Sequence, residues 1–332
     1  MKKITVLGAG TWGSALAEML ASENGYETTL WSALPEELEE IAEKRQHPKM
    51  PELKFSHGMI LQPDIEKALS GAEIVMFAVP SPYVRETAKK AKPYIDKEAI
   101  IVDVAKGLER GTKMTLCQVI KDVLGEEKGG IVALSGPTHA EEVAGKLPTA
   151  IVAASENEEA AKIVQRIFSN GFFRVYTNTD IKGIEICGAM KNIIAIAAGI
   201  SAGLGYGDNA KAAIITRGMA EITRLGEAMG ASHRTFESLA GIGDLVVTCT
   251  SLHSRNNRAG MLIGKGYRAE DAVKEIGMAV EGLNALPAAI EFAKDYSVEL
   301  PICELLYRVV NGEIVASEAL HELMMRSLKS EV

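Results

Sequence analysis

Lys191 stands alone as a cation in the apolar run Gly188-Ala189-Met190-Lys191-Asn192-Ile193-Ile194-Ala195-Ile196-Ala197-Ala198-Gly199. At helical spacing Gly188, Lys191, Asn192, Ala195 and Gly199 share one face of small and polar residues. A lysine inside an apolar helix is costly unless it is paired or chemically used, and desolvation lowers its pKa toward the range where it exchanges protons. The small neighbours are expected to let a ligand approach the ammonium. The alternative is a packed stem whose head reaches water.

Other residues have types that would complement such a group. Lys106 follows the strand-like run ending Asp103-Val104-Ala105, and open α/β sheets bind ligands beyond strand ends. A solvated lysine beside the turn residue Gly107 reads equally well. Asp244, in Gly241-Ile242-Gly243-Asp244, is of a type to orient Lys191 or accept a substrate hydroxyl. Arg255 and Asn256 offer a planar cationic fork and an amide donor, both suited to a phosphate. A charged loop with a helix cap at Ser254 is the plainer reading of that segment. In Ser135-Gly136-Pro137-Thr138-His139-Ala140, backbone N–H groups near Thr138 suit a phosphate or hydroxyl, with an ordinary cap by Thr138 as the alternative. His139 has no evident carboxylate partner and is read as a capping or surface residue. Glu281, in a glycine-flanked turn, either reaches a cofactor or caps a helix starting near Asn284.

Gly8-Ala9-Gly10-Thr11-Trp12-Gly13 is a G-x-G-x-x-G run placed after a strand and before a helix. Gly8 permits the tight turn, Gly10 lets backbone approach a pyrophosphate, and Gly13 lets helix and strand pack closely. The helix N-terminus adds donors and partial positive charge for the anion. An acid ending the second strand would favour NAD and an arginine NADP. That strand ends Trp31-Ser32-Ala33, and Ser32 is able to donate to either cofactor, so NAD or NADP stays open.

The elements that must position these residues divide the chain in two. Apolar runs at Ile4–Leu7, Thr28–Trp31, Glu73–Val79, Ala99–Val104 and Ile131–Leu134 alternate with amphipathic segments. Strands apolar on both faces belong to a doubly wound parallel sheet covered by helices. Runs at Thr149–Ala154 and Phe172–Tyr176 extend it. Helical periods follow at Lys182–Ser201, Ala210–Met229, Arg268–Ile276, Asn284–Lys294 and from Leu305. The expectation is a Rossmann-like α/β domain over residues 1–180 and an all-α domain over 181–332, with the ligand cleft between them.

Composition narrows the chemistry. The formal net charge of −8 gives no global positive field for nucleic acid, so an anionic ligand needs a local cationic cluster. The four cysteines are scattered, which argues against a disulfide framework and fits a reducing cytoplasm. The six histidines lack zinc-site spacing, and no metal is expected. Met1-Lys2-Lys3 enters an apolar strand without a secretion-signal pattern. The uncharged stretch 193–207 holds four glycines and is read as a buried helix end rather than a membrane span.

These motifs together resemble the NAD(P)-dependent glycerol-3-phosphate dehydrogenase family, from end to end. G-A-G-T-W-G, V-A-K-G, S-G-P-T-H-A, the Gly188–Gly199 helix, G-I-G-D-L and S-R-N-N stand in the family's order and spacing. The resemblance implies interconversion of dihydroxyacetone phosphate and sn-glycerol 3-phosphate, with Lys191 as proton donor or acceptor and Lys106 touching both cofactor and substrate. It implies that Gly136, Thr138, Asp244, Ser254, Arg255 and Asn256 surround the substrate, with Thr248 nearby. It implies that Thr11, Trp12, Ala140, Arg255, Ala279 and Glu281 touch the cofactor. Ser32-Ala33 departs from the resemblance, because many relatives carry a basic residue there, so strict NADPH use is not implied. A homodimer making glycerol phosphate for phospholipid synthesis is also implied. Two other readings compete: a two-domain 3-hydroxy acid dehydrogenase, and an NAD(P) sensor without turnover. The combined Lys106, Lys191 and Asp244 set argues against the sensor.

Overall fold

The computed structural model describes residues 2–125, 129–328 and 330, so Met1 of the N-terminal reading lies outside them. Eight strands form the main sheet: β1 (Lys3–Leu7), β2 (Glu27–Trp31), β3 (Ile60–Leu61), β4 (Ile74–Phe77), β5 (Ile100–Asp103), β6 (Ile131–Ser135), β7 (Thr149–Ala154) and β8 (Phe173–Asn178). Their spatial order is β8-β7-β6-β5-β4-β1-β2-β3, the reversal on either side of β1 that marks a doubly wound sheet. All neighbours are parallel except β6 and β7, which pair antiparallel, so β7 and β8 run against the other six.

The alternation of side chains explains the double cover. Ile4, Val6, Met76 and Val102 pack into a core on one face, while Leu7, Val75, Phe77 and Ile101 pack into a second core on the other. Both faces exclude water, which is why these strands read as continuous apolar runs. The edge strand β3 and two small hairpins, Gln46–His47 with Met50–Lys54 and Leu108–Glu109 with Met114–Thr115, gave no such signal. Four of these five strands are only two residues long, too short to give a periodic signal.

Every strand among the described residues precedes Ile181, and the chain beyond it is helical. The Ile181–Gly203 helix is the axis of this half. By length and hydropathy it resembles a membrane span, but nearly all of it is buried inside the protein. Its apolar side chains, with those of seven later helices, form one contiguous core.

The Arg255–Gly264 helix crosses it backbone to backbone. A Cβ on Gly199 would overlap the Asn257 carbonyl, and one on Gly260 would overlap the Ile196 carbonyl. Gly203 and Gly264 repeat the contact one turn further on, against Met261 and Ile200. The small residues near Lys191 were expected to make room for a ligand. At Gly199 the room is instead filled by a second helix, and at Gly188 a Cβ would lie 3.2 Å from Ser135 Oγ and 3.5 Å from Lys106 Cγ. Gly199→Ala is therefore expected to destabilise the fold by about 2 kcal/mol or more, as overpacking against rigid backbone does. Urea denaturation checks it; a loss below about 0.5 kcal/mol would mean the crossing tolerates a methyl group.

Candidate active site

The glycine turn follows directly from the register of the sheet. Leu7 pairs with both Trp31 and Phe77, and Gly8 N then donates to Trp31 O at 2.8 Å. Gly8 has φ +124°, and a Cβ there would sit 2.6 Å from the Ala78 carbonyl oxygen. Gly13 is equally constrained, since its Cβ would overlap the Gly8 carbonyl. Gly10 differs: nothing in the protein lies within 4 Å of where its Cβ would be. Protein packing demands the outer two glycines and leaves open space at the middle one. Gly10 N-caps the Thr11–Ser22 helix, so the open space faces a helix N-terminus that suits an anion.

That space continues into a cleft of about 210 Å³ between the strand ends and the helical half. Gly10, Thr11, Trp12, Lys106, Thr138, Ala140, Lys191, Thr248, Ser254, Arg255, Asn256, Ala279 and Glu281 all line it. Trp12 Nε1 and His139 Nε2 are buried polar atoms with no partner among the described residues. A polar ligand in the cleft would satisfy such atoms.

Lys191, Lys106 and Asp244 form the electrostatic centre. Asp244 is completely buried, and its two carboxylate oxygens are divided between the lysines. Oδ1 accepts from Lys191 Nζ at 2.6 Å and Oδ2 from Lys106 Nζ at 2.8 Å. Lys191 also donates to Thr248 Oγ1 at 2.7 Å, and Thr248 donates on to the Asp244 carbonyl at 2.6 Å. Lys106 donates to the Gly136 carbonyl at 2.9 Å. A kinked turn over Leu239–Gly243, non-helical at Gly241, leads into Asp244 at this point, and at Gly241 a Cβ would overlap the Phe236 carbonyl. Burial lowers the Lys191 ammonium to about 8; the Asp244 carboxylate pulls it back up, and neighbouring Lys106 pushes it further down. Two ammonium groups against one carboxylate leave a local surplus of positive charge. Arg255 adds to it, having no ion pair or hydrogen bond among the described residues.

Several sequence expectations take a different form. Asn256 is not a free amide: Nδ2 donates to Asn192 Oδ1 and Oδ1 accepts from Gly282 N, each at 2.9 Å. It ties three helices together and keeps one N–H for a ligand. Ser254 does cap the Arg255–Gly264 helix, accepting from Asn257 N at 3.2 Å, and it lines the cleft as well. Thr138 is not a cap; it donates to the Gly136 carbonyl at 3.0 Å. His139 occupies the cap position of the short Ala140–Ala144 helix without a side-chain bond. It is a cleft residue rather than a surface one, and burial, reinforced by Lys191, lowers its imidazole to about 4, so it is neutral. Glu281 begins its own helix and accepts from Ser81 N at 3.2 Å and from Ser81 Oγ, joining the two halves. Cys249 is buried like the other three cysteines. Ser32 lies outside the cleft lining, and its hydroxyl donates to Glu37.

Sequence reasoning missed Asn192, which supports Asn256, and His253, whose ring lies 5.7 Å from that of His139 across the cleft. Asn192 was visible only as a polar residue on the lysine face. His253 gave no signal in a polar loop. Outside the cleft, Asp103, Cys117 and Glu185 place metal-type donor atoms within 4.8 Å of one another. Both Glu185 oxygens already accept protein hydrogen bonds, from Thr115 Oγ1 and Cys117 N at 2.7 Å each.

Comparison with known proteins converges on one family. Residues 3–161 match the sequence model for the N-terminus of NAD-dependent glycerol-3-phosphate dehydrogenase, and residues 180–321 match that for its C-terminus. A glycerol-3-phosphate dehydrogenase (NAD(P)+) 2 of Lactobacillus delbrueckii subsp. bulgaricus is 53% identical, the match covering 100% of this chain and 99% of the relative. The Bacillus subtilis glycerol-3-phosphate dehydrogenase (NAD(P)+) is 47% identical over 100% of this chain and 96% of its own. The crystal structure of glycerol-3-phosphate dehydrogenase from Coxiella burnetii superposes with a TM-score of 0.94 at 37% identity, covering 98% of this chain and 99% of that one.

Proposed function

Since the chain belongs to the NAD-dependent glycerol-3-phosphate dehydrogenase family, we propose that it reduces dihydroxyacetone phosphate to sn-glycerol 3-phosphate with Lys191 as the acid. The observation that carries the assignment of Lys191 is its ammonium, buried at the cleft wall and held near neutral pH between Asp244 and Lys106. The open space at Gly10 and the unpartnered Trp12 and His139 nitrogens suit a nicotinamide dinucleotide. Gly8, Gly10, Thr11, Trp12, Gly13, Ala140, Ala279 and Glu281 are the residues we assign to hold it. When bound, the dinucleotide supplies the hydride chemistry.

The chain's own residues supply the rest. Lys191 Nζ gives a proton to the oxygen that develops negative charge as the ketone is reduced, and takes it back in the reverse direction. Thr248 and Asp244 fix the direction of that ammonium. Lys106, bonded to Asp244 and Gly136, sets a second positive charge beside the carbonyl. Arg255 grips the phosphate, so that binding energy remote from the reacting carbon places it against Lys191. In this reading residues 1–180 supply most of the dinucleotide side, with Ala279 and Glu281 reaching it from the helical half, and residues beyond 180 supply the proton donor and phosphate grip. The family's role supports a cytoplasmic homodimer supplying glycerol phosphate for phospholipid synthesis.

Steady-state rates with dihydroxyacetone phosphate and with non-phosphorylated 3-hydroxy acids test the reaction; turnover confined to the latter would replace it. Arg255→Ala is expected to raise KM for dihydroxyacetone phosphate by about tenfold or more, the loss of one charge-assisted contact. An unchanged KM would remove Arg255 from the phosphate.

A further inference from the structure

The two nicotinamide dinucleotides differ at one position, a ribose hydroxyl in NAD and a phosphate in NADP, and a doubly wound sheet meets it at the end of the second strand. Here that strand ends at Trp31, followed by Ser32, neither an acid nor a base. The fold brings an acid to the same point from further along the chain. The Pro35–Lys44 helix turns back so that Glu37 Oε2 accepts from Ser32 Oγ at 2.7 Å. Ser32 Oγ accepts in turn from Leu34 N at 3.1 Å, and the residue is 4% exposed. Its single hydroxyl proton is thereby committed to the carboxylate. Glu37 stays partly exposed, with lone pairs left over, and sits in the first turn of its helix.

The surroundings are also acidic. Residues 35–44 contain five glutamates and one lysine. That lysine, Lys44, is paired with Glu40, and Arg45 donates to the Ser56 carbonyl. The helix is held close to the glycine turn through the hairpin that follows it, where His47 Nε2 lies 3.0 Å from the Ala9 carbonyl oxygen. Lys49, exposed just past that contact, has no ion pair among the described residues, and neither has Arg45.

Building on the dehydrogenase reading above, we propose that Glu37, oriented by Ser32, makes this chain select NAD(H) over NADP(H). Its carboxylate accepts a hydrogen bond from the adenosine ribose hydroxyl and repels a phosphate at that position.

Titration of the full-length protein with NADH and with NADPH, followed by intrinsic tryptophan fluorescence, measures the preference without turnover. Trp12 at the cleft wall is the reporter. The wild type is expected to bind NADH at least about tenfold more tightly than NADPH, the factor that one such interaction supports. Glu37→Gln keeps the shape and should shrink the gap to about threefold or less, and Glu37→Arg should reverse it, by providing the cation a 2′-phosphate requires. Lys49→Ala should leave the preference in place. Equal affinities in the wild type, a gap unaltered in Glu37→Gln, or a preference that follows Lys49 would each overturn the assignment. A protein that prefers NADH in binding yet fails to reduce dihydroxyacetone phosphate would keep Glu37 and lose the reaction. One that reduces it equally well with both cofactors and binds them equally would lose Glu37 alone.

Discussion

Lys191→Ala is expected to lower kcat for ketone reduction by at least about 10²-fold, the range general acid catalysis contributes. Affinity for the dinucleotide should change little, because the ammonium is engaged by Asp244 and Thr248 rather than by the glycine turn. Lys191→Arg separates charge from proton transfer: a guanidinium stays protonated at any working pH, so the positive charge returns but the mobile proton does not. The wild-type pH profile should carry the same signature. Reduction needs the ammonium, so its rate should hold at low pH and fall as pH rises through about 8. Oxidation needs the free amine and should rise through the same window. A normal kcat in Lys191→Ala, or Arg at full activity, would assign the proton to another group.

Asp244→Asn is the second large effect. Among the described residues the carboxylate is the one acid joining both lysines, and it raises the Lys191 pKa against the pull of burial. Its removal leaves burial and Lys106 acting together, so Lys191 should titrate below the wild-type value of about 8. At neutral pH most of the donor would then be lost, and kcat for reduction should drop by about 10²-fold. The descending limb should move to lower pH, with partial recovery on acidification. Breaking one partner out of a buried ionic group also costs about 3 kcal/mol of stability, which thermal unfolding reads separately. A variant with reduced stability but an unmoved pH profile would make Asp244 structural only.

The legible parts of this protein were those written in local chemistry. The long β-α alternation, the change to helical period near residue 180, and the glycine run could each be read from neighbours in sequence, and the fold reproduces them. Lys191 stood out because a charge in an apolar helix needs an explanation. What could not be read were partnerships across the chain. Asp244 bonds residues 53 and 138 positions away, and Glu281 reaches 200 positions back to Ser81. Asn256 looked like a free ligand donor because nothing local shows that Asn192 and Gly282 use most of its amide. The antiparallel β7 was invisible for a similar reason: strand direction is set by the connection, not by the apolar run.

The glycine crossing has one more consequence. Lys191 rides on one of the two helices and Arg255 begins the other, and carbonyls and glycines in direct contact lock the pair together. The separation of the two backbone anchors is therefore fixed by carbonyl and glycine contact, and only the reach of the Lys191 and Arg255 side chains adjusts the distance between ammonium and guanidinium.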